Sequence, residues 1–287
     1  RSLERFLWLS LAAAVVILGI KVWAAALTGS IGMWSDAIES TVNVAAAGVA
    51  LWALRLSAKP ADHNHDFGHG KAEYFSAAVE GSMILIAAAM IMIGAVLRLI
   101  SPKPLEELGL GLALLALATV LNLGVGLLLI RTGRRHRSIT LEADGQHLLT
   151  DVWTSLGVLV AITLVAITGL TWLDPLIALV VGANILFTGY KLVRRSVVGL
   201  LDSTLPPQEV EKVGTVLAQV AKDPRVHVAQ LRTRESGRQR FVYATVTVPG
   251  EWTVTRSHDL ADAVENAVGA ALPGTTTFVH IEPNDER

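Results

Sequence analysis

Cysteine is absent from the 287 residues. This excludes disulfides and thiolate metal sites and leaves His, Asp, Glu and amide oxygens as the good ligands available. Charge is also scarce: charged residues are 17% of the chain and hydrophobic ones 52%, with a mean hydropathy of +0.50. That balance is too apolar for an ordinary soluble domain and points to an integral membrane protein. A formal net charge of -1 offers no broad basic field, so nucleic acid is excluded as a partner. The first residue is Arg1, not Met, so the lack of a leader segment excludes nothing. Without cysteine the redox compartment stays open.

What is present is a set of long apolar runs. A helix crosses a bilayer with roughly 20 apolar residues, and runs of that kind lie near 6–28, 31–56, 76–100, 107–131, 144–168 and 172–198. They predict six spans, of which the second and fifth are interrupted by polar groups. Positive charge sets the orientation. Arg55, Lys59 and Lys71 follow the second run; Arg131, Arg134, Arg135 and Arg137 follow the fourth; Lys191, Arg194 and Arg195 end the sixth. The other connections are poorer in net positive charge, which places both termini in the cytoplasm.

Composition changes after Leu205, Pro206 and Pro207. "PPQEVEKVGTVLAQVAKD" has helical apolar spacing. "VAQLRTRESG" and "RQRFVYATVTV" alternate as strands and break at Ser236 and Gly237, "SHDLADAVENAVGAAL" is a second amphipathic helix, and "TTFVHIEP" a last strand. The expected organisation is therefore a six-helix transmembrane domain, 1–205, and a small cytoplasmic α/β domain of order α-β-β-α-β, 206–287.

Ionisable groups inside the spans are the first candidates for function. A charge at the centre of a spanning helix costs about 2.5 to 3.5 kcal/mol on insertion scales, so such residues are few and usually functional. His147 and Asp151, in "ADGQHLLTD", are one turn apart and share a helix face. The second run offers a matching pair, Glu39 and Asn43, in "SDAIESTVN". Together they could close a four-ligand site of one imidazole, two carboxylates and an amide oxygen, where a divalent cation pauses midway across. The alternative is that each pair is polar glue between helices or lines an aqueous crevice. Asp36, one turn before Glu39, reads as a support for a ligand.

The connection after the second run, "PADHNHDFGHGKAE", is denser still. Asp62, His65 and His69 are spaced so that a turn followed by a helical start can aim all three at one ion, and Gly68 and Gly70 let the backbone bend. His63 and Asp66 are spare candidates. A solvated loop without metal is the alternative.

Taken together, "SDAIESTVN", "DHNHDFGHGKAE", "ADGQHLLTD" and "LRTRESG", with six spans and a C-terminal α-β-β-α-β domain, resemble the cation diffusion facilitator family, in particular its bacterial zinc and ferrous-iron efflux members. The resemblance covers essentially the whole chain. It implies a homodimer in the inner membrane whose protomers each carry a transport site and exchange a cytoplasmic metal ion for protons. By motif position that site is Glu39, Asn43, His147 and Asp151, and the loop site is Asp62, His65 and His69. Lys71 and Asp202, the latter in "GLLDSTLP", match family positions of a salt-bridge network between protomers. His258, His280 and Glu282 stand at ligand positions of a cytoplasmic metal site, but Ala229 and Thr245 stand where two more histidines occur in relatives. That site therefore takes one metal at most. Relatives usually have His or Asp where this chain has Glu39 and Asp where it has Asn43, which opens the question of substrate.

Mixed nitrogen and oxygen donors suit Zn²⁺, accept Fe²⁺, Co²⁺ and Cd²⁺, and leave Mn²⁺ open; Ca²⁺ and Mg²⁺ want six or more oxygens. Two other classes compete with this reading. A membrane metalloenzyme would need an open coordination position and a nearby general acid or base, and no HExxH-type signature is present. A non-transporting family member, acting as a metal sensor or partner subunit, would need metal only in the cytoplasmic domain. No catalytic residue or catalytic cofactor is expected.

Overall fold

The computed structural model describes residues 3–28, 31–101, 109–221 and 223–284. The chain divides into two compact units, Arg1–Val197 and Val198–Arg287. The first is built from long helices: α1 (Glu4–Thr28), α2 (Ile31–Ser57), α3 (Ala72–Ile100), α4 (Gly109–His136), α5 (Ile139–Thr168) and α6 (Leu173–Leu200), the last running into the second unit. Among the described residues, four segments are long and apolar enough to cross a membrane: Glu4–Trp23, Ala72–Ile100, Ala116–His136 and Leu173–Leu200. α2 and α5 are of similar length and carry the polar groups singled out above.

The outside of this unit is greasy. On α3 alone Ile86, Met90, Ile93 and Ile100 are 60% or more exposed, an apolar outer face that water would oppose and lipid accepts. The interior is sealed by small residues. α4 and α5 touch backbone to backbone: a Cβ on Gly145 would lie 2.8 Å from the Gly126 carbonyl oxygen, and one on Gly133 only 2.8 Å from the Glu142 nitrogen. α6 uses the same device against α3, where a Cβ on Gly81 would meet Val193 at 2.9 Å and one on Gly189 would meet Ile84 at 3.0 Å.

Glu73 ties three helix ends together. Fully buried in the first turn of α3, it accepts hydrogen bonds from Ser57 at the end of α2 (3.3 Å) and from Ser138 (2.5 Å). Ser138 is the N-cap of α5, and with its hydroxyl given to Glu73 it makes no capping bond of its own. α5 stops at Gly169, whose φ of 72° supplies the left-handed turn that ends many helices.

The second unit follows the order α7 (Pro207–Val220), β1 (His227–Ser236), β2 (Gln239–Pro249), α8 (Val254–Ala271) and β3 (Thr275–Asn284). Pro207 opens α7 where a missing N–H costs nothing, and the Thr253 hydroxyl caps α8 by accepting from the Arg256 N–H. β1 and β2 are antiparallel, joined at Gly237 with φ 58°, while β3 runs parallel to β2. α7 and α8 cover one sheet face over a core that includes Val213, Leu217, Val242, Val246, Val264 and Val268. On the other face Tyr243 and Phe278 stack with centroids 5.0 Å apart.

Candidate metal sites

Asn43 of the α2 pair meets both residues of the α5 pair in space, about a hundred residues apart in sequence. Asn43 on α2 lies between His147 and Asp151 on α5: its Oδ1 is 2.9 Å from His147 Nε2 and its Nδ2 is 2.7 Å from Asp151 Oδ2. An amide oxygen only accepts, so in this arrangement Nε2 carries the hydrogen, and the amide nitrogen donates to the carboxylate. His147 is 6% exposed and Asp151 half-buried. An imidazole, a carboxylate and an amide converging at hydrogen-bond distance form a set that a cation can enter by taking the amide oxygen, the imidazole lone pair and the carboxylate. Glu39 lies on α2 one turn before Asn43, but its side chain and that of Asp36 lie outside the described residues.

Sequence reasoning missed three residues around this set. Asn122 on α4, 4% exposed, reaches Asp151 Oδ2 with its Nδ2 at 3.5 Å. Asp144, one turn before His147, is 2% exposed, and Glu80 on α3 is fully buried with Ser76 donating to it at 3.2 Å. Asp144 Oδ2 and Glu80 Oε2 have no hydrogen-bond partner among the described residues. Glu80 and Asp144 could have been flagged by the rule applied to the others, carboxylates within an apolar run; Asn122 gave no comparable signal.

The loop residues also meet. Asp62 Oδ1 is 3.3 Å from His65 Nδ1 and Oδ2 is 3.4 Å from His69 Nε2, with one ligand atom from each residue all within 4.8 Å. Four-coordinate zinc with N and O bonds of about 2.0 to 2.1 Å has ligand-to-ligand edges of roughly 3.3 Å, so each histidine stands near that separation from an Asp62 oxygen. The loop is shaped for this. Asp62 and His65 exchange backbone hydrogen bonds of 3.3 and 3.1 Å, and Gly68, with φ 75°, turns the chain so that His69 points back. His69 is the inner residue of the three, with its Nδ1 buried and without a hydrogen-bond partner among the described residues, while Asp62 and His65 are about half exposed. His63 and Asp66 are exposed and stand outside the cluster.

The Asn64 N–H, 3.0 Å from Asp62 Oδ1, is the main reason the Asp62 carboxyl is held below its ordinary range; slight desolvation opposes it and the two histidines add to it. A lowered carboxyl pKa means that what the ionised group contributes is present above the unfolded value, about 3.9, and is lost only as pH falls through the lower folded value. Metal and protons compete for the same lone pairs, so Zn²⁺ bound here is expected to weaken as pH falls, with the Asp62 carboxylate staying ionised to below its ordinary range. Zinc titration of the purified chain at a series of pH values checks it; Asp62→Asn should weaken binding at every pH and so move zinc loss to higher pH, and an affinity unchanged by the substitution would contradict the assignment.

In the second unit His258 pairs with Asp262 at 3.7 Å and His280 with Glu282 at 3.4 Å. These are two separate exposed pairs: among the described residues only Asp62, His65 and His69 form a cluster of three. The sheet register explains the thinness. Thr245 is the β2 partner of His280, and Ala229 sits where the β1 register shifts beside it, so the row across the sheet offers one imidazole. Asp202 adopts φ 58° and accepts from Arg234 at 3.1 Å within its own unit. Lys71 stands at the N-cap of α3.

Comparison with known proteins identifies the family. The family model of the cation efflux transmembrane domain matches residues 7–201, and that of the cation efflux protein cytoplasmic domain matches 205–284. The chain belongs to the cation diffusion facilitator family. Among its relatives in that family, an uncharacterized transporter of Synechocystis sp. is 49% identical over 97% of this chain and 89% of its own. The cation-efflux pump FieF of Klebsiella pneumoniae is 32% identical over 95% and 90%, and that of Escherichia coli 30% over 95% and 90%. A solved structure of CzrB in a zinc form is 35% identical, covering 30% of this chain and 97% of its own with a TM-score of 0.28. As a cation diffusion facilitator the chain is a membrane protein of a transporter family whose activity is metal cation efflux, with a cytoplasmic domain of the dimerising type.

Proposed function

We propose that this protein is a homodimeric metal/proton antiporter that exports Zn²⁺ or Fe²⁺ across the bacterial inner membrane, with six spans and both termini in the cytoplasm. The observation that carries the reading is the meeting of Asn43 on α2 with His147 and Asp151 on α5, an amide, an imidazole and a carboxylate gathered inside a unit of long apolar helices. Glu39, one turn from Asn43, is the fourth ligand of this reading.

The coupling follows from ligand chemistry. Metal and protons compete for the same lone pairs on the imidazole and the carboxylates, so occupancy by one expels the other. With the site open to the outside, protonation of His147 and of a carboxylate releases the ion, and the return swing carries the proton inward. Asn43 binds through oxygen and does not titrate, so it adds affinity without adding a proton. The loop ligands Asp62, His65 and His69 hold a second ion beside the membrane, and Lys71 with Asp202 belongs to the contact between protomers. A sensor would rely on the cytoplasmic histidines, and the single imidazole in the row across the sheet disfavours that reading.

Reconstitution in liposomes tests it. Uptake of Zn²⁺, Fe²⁺, Co²⁺, Cd²⁺ and Mn²⁺ is followed with and without an imposed pH gradient. Gradient-dependent uptake that is fastest for Zn²⁺ or Fe²⁺ is the expected result. Metal binding with no flux would transfer the protein to the non-transporting class.

A further inference from the structure

We propose that Asn122 is a positioning residue of the membrane site, whose amide N–H holds the Asp151 carboxylate while the other ligands take the metal. The inference rests on the transport reading above and extends the site to a third helix, α4.

Three observations carry it. Asn122 is 4% exposed on a helix whose neighbouring residues are apolar, and its Nδ2 stands 3.5 Å from Asp151 Oδ2, the same oxygen that Asn43 reaches at 2.7 Å. That separation is the outer limit of a hydrogen bond, so in this state Asn43 makes the main contact and Asn122 stands behind it. Asn43 serves two partners at once, His147 through Oδ1 and Asp151 through Nδ2, so a turn of its amide toward an ion loosens its hold on Asp151. Asn122 is then placed to take over as a donor to Asp151 Oδ2, leaving the other carboxylate oxygen for the metal. The placement is built in. Gly126, one turn after Asn122, lies against Gly145, Leu148 and Leu149 of α5, and this close seam sets how far Asn122 stands from Asp151. A neutral amide suits the task, since it supports the carboxylate without repelling the cation or taking a proton.

The test uses the full chain in detergent, titrated with Zn²⁺ and with Mn²⁺, and the same variants in liposomes. The intact loop site serves as an internal control of folding in every variant. Asn122→Ala is expected to weaken metal binding at the membrane site about 10-fold and to raise KM for uptake by the same factor, with the maximal rate within about twofold of wild type and the loop affinity unchanged. Asn122→Asp removes the N–H and adds a charge beside Asp151. If Asn122 acts through its N–H, this variant does no better than alanine; metal binding as tight as wild type or tighter would make the position a direct oxygen ligand and overturn the proposal. Wild-type KM and affinity in Asn122→Ala would also overturn it. Should Asn122→Ala lose the loop site as well, Asn122→Ser, which keeps a small donor, takes its place under the same criteria. Asp151→Ala separates the two readings: if it binds metal like wild type, the membrane site itself is misassigned and this inference falls with it. If only Asn122→Ala is silent, the site stands and Asn122 does not serve it.

Discussion

Asp151→Ala is expected to abolish proton-driven metal uptake, by at least about 100-fold, the upper end of what loss of a mere supporting group costs. Asp151 is the point on which the site converges: Asn43 donates to its Oδ2 at 2.7 Å and Asn122 approaches the same oxygen at 3.5 Å. Removing it takes away a formal charge that offsets the cation's cost in a poorly hydrated interior. It also leaves the Asn43 amide nitrogen without its acceptor, a penalty of about 1 to 3 kcal/mol for a buried donor. Asp151→Asn separates the two effects, because it keeps the shape and an acceptor oxygen but not the charge. Uptake lost equally in both variants assigns the role to the carboxylate charge. Uptake retained in the asparagine variant would mean that an oxygen donor of this shape suffices and that the charge of Asp151 is not required. Isotope or fluorophore uptake into liposomes under a fixed pH gradient, with thermal stability measured in parallel, reads both.

The helices and the small sheet domain were legible because their signals are local. Long apolar runs mark α1, α3, α4 and α6, and period-two alternation interrupted by Ser236 and Gly237 marks the β1–β2 hairpin. The ends were less legible. The apolar run of the fourth helix stops near 131, yet α4 continues through Arg134 and Arg135 to His136, and α5 begins at Ile139, several residues before its apolar run near 144. Hydropathy reports the thickness of lipid that a helix can cross, whereas hydrogen bonding carries the helix on into water or protein until a cap such as Ser138 stops it.

The candidate sites divide in the same way. Residues one turn apart on one helix declare a shared face, so His147 with Asp151, and Glu39 with Asn43, could be paired from spacing alone. The loop cluster was visible as composition, although the inner position of His69 and the outer positions of Asp62 and His65 depend on the turn at Gly68. Asn122 was not visible. A lone Asn in "VLNLGVG" reads as ordinary interhelical polarity, and only the depth to which α4 sinks against α5 places it on Asp151. That depth is a tertiary fact written in glycines, whose meaning appears when the facing helix is known.

For the same reason Gly145→Leu is expected to have a large effect without touching a ligand. A Cβ at this position would lie 2.7 Å from Ile130 Cγ1, 2.8 Å from the Gly126 carbonyl oxygen and 3.0 Å from the Ile130 nitrogen. Two of those three neighbours are backbone, which cannot swing aside, so the helices must part. Overpacking of this kind costs about 3 kcal/mol at the upper end, and here the displaced helix takes Asn122 away from Asp151. The variant should therefore lose thermal stability in detergent and metal binding at the membrane site together, with Gly145→Ala moving both in the same direction by less. Gly48 on α2 supplies the contrast: nothing lies within 4 Å of a Cβ there, and Gly48→Ala removes only the flexibility of a helical glycine, so stability should stay level or rise. If Gly145→Ala melted like wild type and kept its metal affinity, the α4–α5 seam would be looser than backbone contact, and the register that aims Asn122 at the site would have to come from elsewhere.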